Sequence, residues 1–403
     1  MSLSSSIDIG QSGLIGFSQE LQIISNNVAN LNTPGFKGSG AQFADLFSAN
    51  NGLGQQGSGA ESGGGLQVLP SVINFSGGQQ TQTGVSTNLY ISGNSFFVTK
   101  DPKSGQVIYT QDGQFSFDKG YLVDSTGNTR VQGLTSGGTL QDISLTGLEN
   151  SAAKASTTIT LNGNLSTTAS TASPVTVSSI VVFDATGATH TLSATLAPGT
   201  TASGQTPWTV TISDGSTQVG TGTIYYASPA GATVAGKDSV SFSYTPTTGG
   251  GPIALTLTMD PNSTSTASAS SAAVESIDGY GAGTLTNQTF NSSGQLQLTY
   301  SNGQTATGPT IALANFQSTS ALTQNGANGF VAANGNSAQL GTAGATSAWG
   351  TLTANEIEGS NVDLSTEFSD IITTQRGYQA ASELISTANQ MMQDVLQMKG
   401  QGG

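Results

Sequence analysis

The chain has 403 residues, enough for two or three domains and a sizeable core. Only 8% of them are charged, where about a quarter is usual, and the formal net charge is −14 with 9 Lys and Arg in total. That balance excludes a nucleic-acid partner, because no basic patch can be assembled to neutralise phosphates, and it disfavours an anionic membrane surface.

Cysteine is absent, so there is no disulfide, no thiolate metal site and no Cys nucleophile. No apolar run approaches the roughly 20 residues that span a bilayer, and no direct membrane insertion is expected. The first ten residues lack the basic and continuous apolar regions of a signal peptide. Export, if it occurs, is expected without a cleaved signal.

Residues 3–31 read as an amphipathic helix. Leu3, Ile7, Gly10, Leu14, Phe17, Leu21, Ile24, Val28 and Leu31 recur at steps of four and three. Gly10 stands where an apolar residue belongs and suggests a close approach or a bend. The polar positions hold Ser, Gln and Asn rather than Glu and Lys, so few i,i+4 ion pairs support this helix alone. Pro34-Gly35 suits the centre of a type II turn and stops it. The Gly, Ser, Asn and Gln-rich run 48–65 reads as flexible, within a connector spanning 38–69.

The period then changes to two. Leu66 and Val68, then Leu89–Ile91, Phe96–Val98, Val107–Tyr109, Phe115–Phe117 and Tyr121–Val123, are short strands separated by Gly- and Asp-containing turns. Residues 150–284 continue as β with a Ser/Thr-rich surface. Their strands are Thr158–Leu161, Ser179–Phe183, Thr191–Leu196, Trp208–Ile212, Thr223–Tyr226, Ser239–Tyr244 and Ile253–Met259. This spacing predicts a sandwich or barrel. Strands return at Gln295–Tyr300 and Ile311–Phe316.

Asn361 to Met398 reads as a long helix capped by Ser360 or Asp363. Leu364, Ile371, Tyr378, Ile385 and Met392 recur every seven residues, with Phe368, Gln375, Ser382, Asn389 and Leu396 between them, a coiled-coil seam. Leu384, Ala388, Met391, Val395 and Met398 form a second apolar row. Two apolar faces require more than one partner. The expected fold class is multidomain α+β. Terminal helices (1–37 with 355–403) form a coiled-coil-like inner domain. A mainly antiparallel inner β domain (70–149 with 285–354) carries a second, outer one (150–284) inserted into it.

Nothing in the chain builds a catalytic, metal or cofactor site. The single His, His190, lies on an alternating strand without an identifiable triad. Asp112-Gly113, Asp214-Gly215 and the run from Asp184 are turn signals without the ligand repeat of a Ca²⁺ loop. Glu356, Glu358, Asp363, Glu367 and Asp370 surround a helix start, where acidic groups meet the macrodipole favourably.

Three groups of residues carry a family likeness. Ser25-Asn26-Asn27-Val28-Ala29-Asn30-Leu31-Asn32-Thr33-Pro34-Gly35-Phe36-Lys37 resembles the N-terminal signature of the flagellar rod and hook axial proteins. Gly359-Ser360-Asn361-Val362-Asp363-Leu364, Glu367, Ile371-Ile372 and Gln375-Arg376-Gly377-Tyr378 resemble their C-terminal signature. Gly93–Val98, Tyr109–Phe115, Tyr300–Gly303, Leu313–Phe316 and Gly326–Phe330 are similar to the family's β-domain motifs. Gln111 departs where Arg is usual, and Ala381 where Asn is. Residues 150–283 carry no such motif.

The resemblance implies a self-polymerising, non-enzymatic subunit. Length and insertion fit the hook type better than the distal rod protein or a hook-associated junction protein. A secreted β-rich adhesin is the alternative from another class. A hook would be a curved flexible tube, a universal joint that passes motor torque to the filament. The family also implies a location outside the cell, export through the flagellar type III apparatus, and contacts with the distal rod, hook cap and hook–filament junction proteins. Leu14, Phe17, Leu21, Ile24, Val28 and Leu31 are expected to meet Leu364, Phe368, Ile371, Tyr378, Ile385 and Met392 at the polymerisation interface.

Overall fold

A computed structural model describes residues 3–47, 63–247, 249, 251–326, 328–333 and 337–400. The protein is mostly β, with one long helix towards each end: α1 (Leu3–Ala29) and α2 (Leu364–Gly400). The Asp363 carboxylate accepts the Ser365 and Thr366 amides at 2.7 and 3.1 Å and so caps α2. α1 ends in the turn Thr33–Phe36, closed by Phe36 N–H to Thr33 O at 3.3 Å, with Gly35 at φ +67°. That is the type II geometry that Pro34-Gly35 predicts. Among the described residues no helix is long and apolar enough to cross a membrane.

The chain forms two compact units. The first comprises residues 1–146, 288–297 and 307–403; the second comprises 147–287 and 298–306. In the first unit, β1 (Ser39–Phe47) and β2 (Gly63–Ile73) pair antiparallel, with Ser39 opposite Ile73 and Asp45 opposite Leu66. Composition had suggested an irregular connector here. The ends of that span are a hairpin, because alternating residues such as Phe43, Leu66 and Val68 give both sides a strand period despite the glycines. Residues 48–62, the heart of the proposed flexible run, lie outside the described residues.

The same unit holds a sheet in which Phe96–Lys100 lies between Arg130–Leu134 and Val107–Thr110, followed by Gly329–Ala332 and Leu322–Gln324. Its alternate residues Phe96, Val98, Ala312, Ala314, Phe316 and Phe330 form one core. Phe75 stacks edge-on against Phe96 and Phe330. Segments from both sides of the second unit interleave: Leu89–Ser92 pairs with Thr351–Ala354, and Gln80–Gln82 with Glu356–Glu358. Ala327, within one of the β motifs, lies outside the described residues.

The second unit is a sandwich of two four-stranded sheets. One runs Val175–Phe183, Thr189–Pro198, Gln205–Asp214, Thr217–Ala227 in order. The other runs Ser239–Tyr244, Ile253–Met259, Thr158–Asn162, Ala273–Ile277, its central pair parallel. Each strand read from alternation between 158 and 259 lies inside one of these. Trp208, Tyr226, Ile159, Leu161, Ile224 and Leu257 fill the space between the sheets. The two large polar tips find partners there, Trp208 Nε1 on Ser265 Oγ at 3.2 Å and Tyr226 Oη with Ser263 Oγ at 3.0 Å. His190 Nε2 lies 3.2 Å from Asp184 Oδ2. Asp184 also accepts the Thr186 hydroxyl and the Thr186 and Ala188 amides, so the pair closes a turn.

Candidate assembly surface

The two signature segments meet at the root of the helices, all within the first unit. Asn27 is buried in the last turn of α1. Its Nδ2 donates to Ser39 O at 2.8 Å and to Glu367 Oε1 at 3.0 Å, and its Oδ1 accepts Ser39 N–H at 3.0 Å. One amide thus ties α1 to β1 and to the first turn of α2. Asn361 does the same from the other side. Its Oδ1 accepts Gly38 N–H at 2.8 Å, while its Nδ2 donates to Asn74 O at 2.8 Å and Ser76 O at 3.0 Å. Asn26, Asn30 and Thr33 close the end of α1, with Thr33 Oγ1 to Asn30 Oδ1 at 3.1 Å and Asn30 Nδ2 to Asn26 O at 2.9 Å.

Lys37 is 1% exposed and Glu358 3%. Lys37 Nζ donates to Glu358 Oε1 at 2.7 Å and to Ser76 O at 3.0 Å, and Gly78 N–H reaches the same carboxylate oxygen at 2.6 Å. A charge removed from water persists only when paired and hydrogen-bonded, and this pair meets both conditions. Gly35 packs so closely on the next segment that a Cβ there would stand 2.5 Å from the Asp112 amide nitrogen. Asn328 Nδ2 donates to Pro34 O at 2.9 Å. Phe36 is buried, and Val362 packs on Gly38. Gln111 donates to Ser95 O, yet its own Oε1 and the Ser95 hydroxyl are buried without partners among the described residues.

Above this root α1 and α2 run antiparallel. Phe17 faces Gly377, Gly13 faces Ala381 and Gly10 faces Ile385. A methyl group at Gly10 would lie 2.6 Å from Ile385 Cγ1, and one at Gly377 2.7 Å from the Phe17 ring. Gly10 therefore serves close approach. β1 and β2 cover another side of α1, where Gly16 meets Leu66 and Phe43, and Leu66 N–H donates to Ser12 Oγ at 3.2 Å.

The α1 residues are placed much as their spacing suggests. Ile24 is 5% exposed, and Leu14, Phe17, Leu21, Val28 and Leu31 are half-buried. In α2 only part of the expected seam turns inward. Ile371 and Ile385 are half-buried, but Leu364 (38%), Phe368 (52%), Tyr378 (41%) and Met392 (37%) are exposed. Thr374, Gly377, Ala381 and Ala388 take the inner positions. Thr374, Ala381 and Ala388 recur every seven residues, one position before the expected row of Gln375, Ser382 and Asn389; Gly13 faces the small Ala381, while Gly10 makes room for Ile385 and Leu384. Gln375 and Arg376 are also exposed.

Glu367 borders a cavity of about 360 Å³ lined also by Glu20, Asp363 and Asp370. Burial, and to a lesser degree the Asp370 charge, raise its carboxyl above the ordinary range against the opposing Asn27 hydrogen bond. Among the described residues no group of His, Cys, Asp and Glu is placed to hold a metal ion.

Family models match three parts of the chain: "Flagella basal body rod protein" over residues 7–37, "Flagellar hook protein FlgE/F/G D1 domain" over 90–169, and "Flagellar basal body rod FlgEFG protein C-terminal" over 354–398. The flagellar hook protein FlgE of Escherichia coli is 30% identical over 411 residues, an alignment covering 96% of this chain and 98% of that one. The chain belongs to the flagellar hook protein family. The Treponema pallidum hook protein is likewise 30% identical, over 97% of this chain and 98% of its own. A crystal structure of the Helicobacter pylori hook protein FlgE2 aligns with 62% of this chain and 93% of its own at a TM-score of 0.40 and 11% identity.

As a hook-family chain it is a structural subunit that polymerises in the flagellum, in the hook outside the cell. The family models cover both signature segments, and the geometry gives those residues two kinds of work. Asn27, Gly35, Lys37, Asn361 and Asp363 hold one chain together. Leu364, Gln375, Arg376 and Tyr378 make few contacts within it.

Proposed function

We propose that the chain assembles into a curved, flexible tube that acts as a universal joint, with α1 and α2 on the inside and the β units outside. The observation that carries this reading is the exposure of Phe368, Ile372, Met391, Val395, Leu396 and Met398 on α2, between 52% and 75% each. An amphipathic helix whose bulky side chains face water in a lone chain supports packing against further copies. Contacts repeated without closing give a filament, which a tube requires. The proposed polymerisation interface is Leu14, Phe17, Leu21, Ile24 and Val28 of α1 and Leu31 just after it, with Leu364, Phe368, Ile371, Tyr378, Ile385 and Met392 of α2.

Bending belongs to the β units in this reading. Their Ser-, Thr- and Gln-rich surfaces exchange hydrogen bonds with neighbours or water at little net change. The inner helices stay packed while the outer contacts slide. Subunits leave the cell unfolded through the flagellar type III apparatus, and a cysteine-free chain carries no cross-link risk on the way. The distal rod protein, the hook cap protein and the hook–filament junction protein are the proposed neighbours at the ends of the tube.

Electron microscopy of the purified protein under polymerising conditions tests this. Curved tubes are expected. Straight tubes would favour a rod role, and no tubes at all would remove the proposal.

A further inference from the structure

The side of α2 turned from α1 carries Leu364, Phe368, Ile372 and Arg376 at four-residue steps, so they form one row. The three apolar members are 38%, 52% and 54% exposed. Arg376 makes no ion pair or hydrogen bond among the described residues. At about 100° per residue it emerges on the side of α2 opposite Glu367. It is a cation at the end of an apolar stripe, with no partner for its side chain among the described residues.

The complementary feature lies in the groove that α2 forms with α1. The cavity between α1, α2 and the start of β1 is lined by Glu20, Glu367 and Asp370, and no Lys or Arg lines it. Asp363 is occupied as the α2 cap and Asn27 with Ser39 and Glu367. Glu20 and Asp370 have no hydrogen-bond or ion-pair partner among the described residues. Burial first, and the Asp370 charge after it, hold the Glu367 carboxyl above its ordinary range. A guanidinium fork suits such a cluster, because it serves two carboxylates at once and sheds water more readily than an ammonium.

The face of α2 turned from α1 thus holds the cation and the groove between α1, α2 and β1 the anions, so the two cannot meet within one chain. They meet when copies stand side by side pointing the same way, a heterologous contact that continues instead of closing. We propose that the Arg376 row of α2 docks on a second copy of this chain, with the Arg376 guanidinium in that copy's Glu20–Glu367–Asp370 cavity and Phe368 and Ile372 covered beside it. This rests on the reading of the chain as a polymer subunit.

Charge exchange tests the contact. Arg376→Glu, the double variant Glu20→Lys/Asp370→Lys, and an equal mixture of the two are compared with wild type by sedimentation on hook fragments as nuclei. Each variant alone should need at least about tenfold more protein to polymerise, the effect expected of like charges facing each other at an interface. The mixture should return to the wild-type threshold, because every mixed contact again joins opposite charges. A misfolded variant would not be rescued in this way.

As a second measurement, Arg376→Cys/Asp370→Cys in this cysteine-free chain should give a ladder of covalent oligomers when polymer is oxidised. Either single substitution should give no ladder. Wild-type thresholds for Arg376→Glu, or a mixture that stays unpolymerised and an absent ladder, would overturn the contact while leaving the polymer reading intact. A wild-type chain that never polymerises on nuclei would overturn both.

Discussion

Lys37 Nζ lies 2.7 Å from Glu358 Oε1, with the two side chains 0% and 3% exposed, where the segment leaving α1 passes the segment leading into α2. Removing one member strands the other as a buried, unpaired charge. Lys37→Met or Glu358→Leu should therefore destabilise the first unit by about 3–5 kcal/mol, whereas the double substitution should be milder than either alone. Urea denaturation followed by a probe in that unit measures this. Additive effects of the two substitutions would contradict the pairing.

The inner and outer sides of the helices should respond differently to substitution. Ile24→Ala removes a buried side chain and is expected to lower the stability of the unassembled chain by about 2–5 kcal/mol. Phe368→Ser, on an exposed position, should change it by no more than about 0.5 kcal/mol and yet reduce polymer yield. Thermal unfolding of the monomer and sedimentation of the polymer, run on the same preparations, separate the two effects.

Close helix contact predicts intolerance of added bulk. Gly10→Leu or Gly377→Leu would drive carbon atoms into Ile385 or the Phe17 ring, overpacking a seam at an expected cost of about 1–3 kcal/mol. Gly84→Ala has open space around it but a φ of +71°, so its smaller effect would come from backbone strain alone. Helical circular dichroism should fall for the first pair only.

Glu367 gives a pH dependence of defined sign. Its carboxyl titrates higher in the folded protein than in the unfolded chain, from burial first and the Asp370 charge next. The folded state therefore binds the proton more tightly, and its contribution is full below the ordinary carboxylate value and lost as pH rises through the folded one. Glu367→Gln should make α2 more resistant to unfolding than wild type at neutral pH. That advantage should disappear on acidification to pH 4 or below.

In the second unit, Tyr244 Oη donates to Asp214 Oδ2 at 2.8 Å. Burial, followed by that bond and its charge, pushes the phenol up to about 12. Its proton is held more tightly in the fold, so the contribution is present below the ordinary phenol value of about 10 and lost as pH climbs towards the folded one. A spectrophotometric titration should show a late-ionising phenol that Tyr244→Phe abolishes.

Amide exchange offers a check on the assembly surface as a whole. Most of α2 is exposed, and among its described side chains only Thr374 and Ala388 are buried. Its amides should exchange early in the free chain and become strongly protected in polymer. Strong protection in the monomer would weigh against a surface completed by other copies.

The strands were legible because each is written locally. Val-Ser-Phe-Ser-Tyr from Val240 alternates faces within a few residues, and Gly and Asp mark its ends. The helices were legible too, from steps of three and four. The inner row of α2 was not, since Thr374, Ala381 and Ala388 look like filler beside Phe368 and Tyr378. Leu66 and Val68 announce β2, but its partner β1 lies in a span whose composition reads as a connector. The Lys37–Glu358 pair could not be read at all, because nothing in either residue's neighbourhood names a partner hundreds of positions away.

The tight seat of Gly35 on Asp112 has a mechanical consequence. Together with Asn328 on the Pro34 carbonyl and Lys37 on Glu358, it fixes the foot of the helices to the sheet through backbone and short, buried contacts. Such a foot has little room to swivel. Load applied along α1 therefore reaches the sheet as shear across a stiff joint, and compliance is left to softer places elsewhere in the chain.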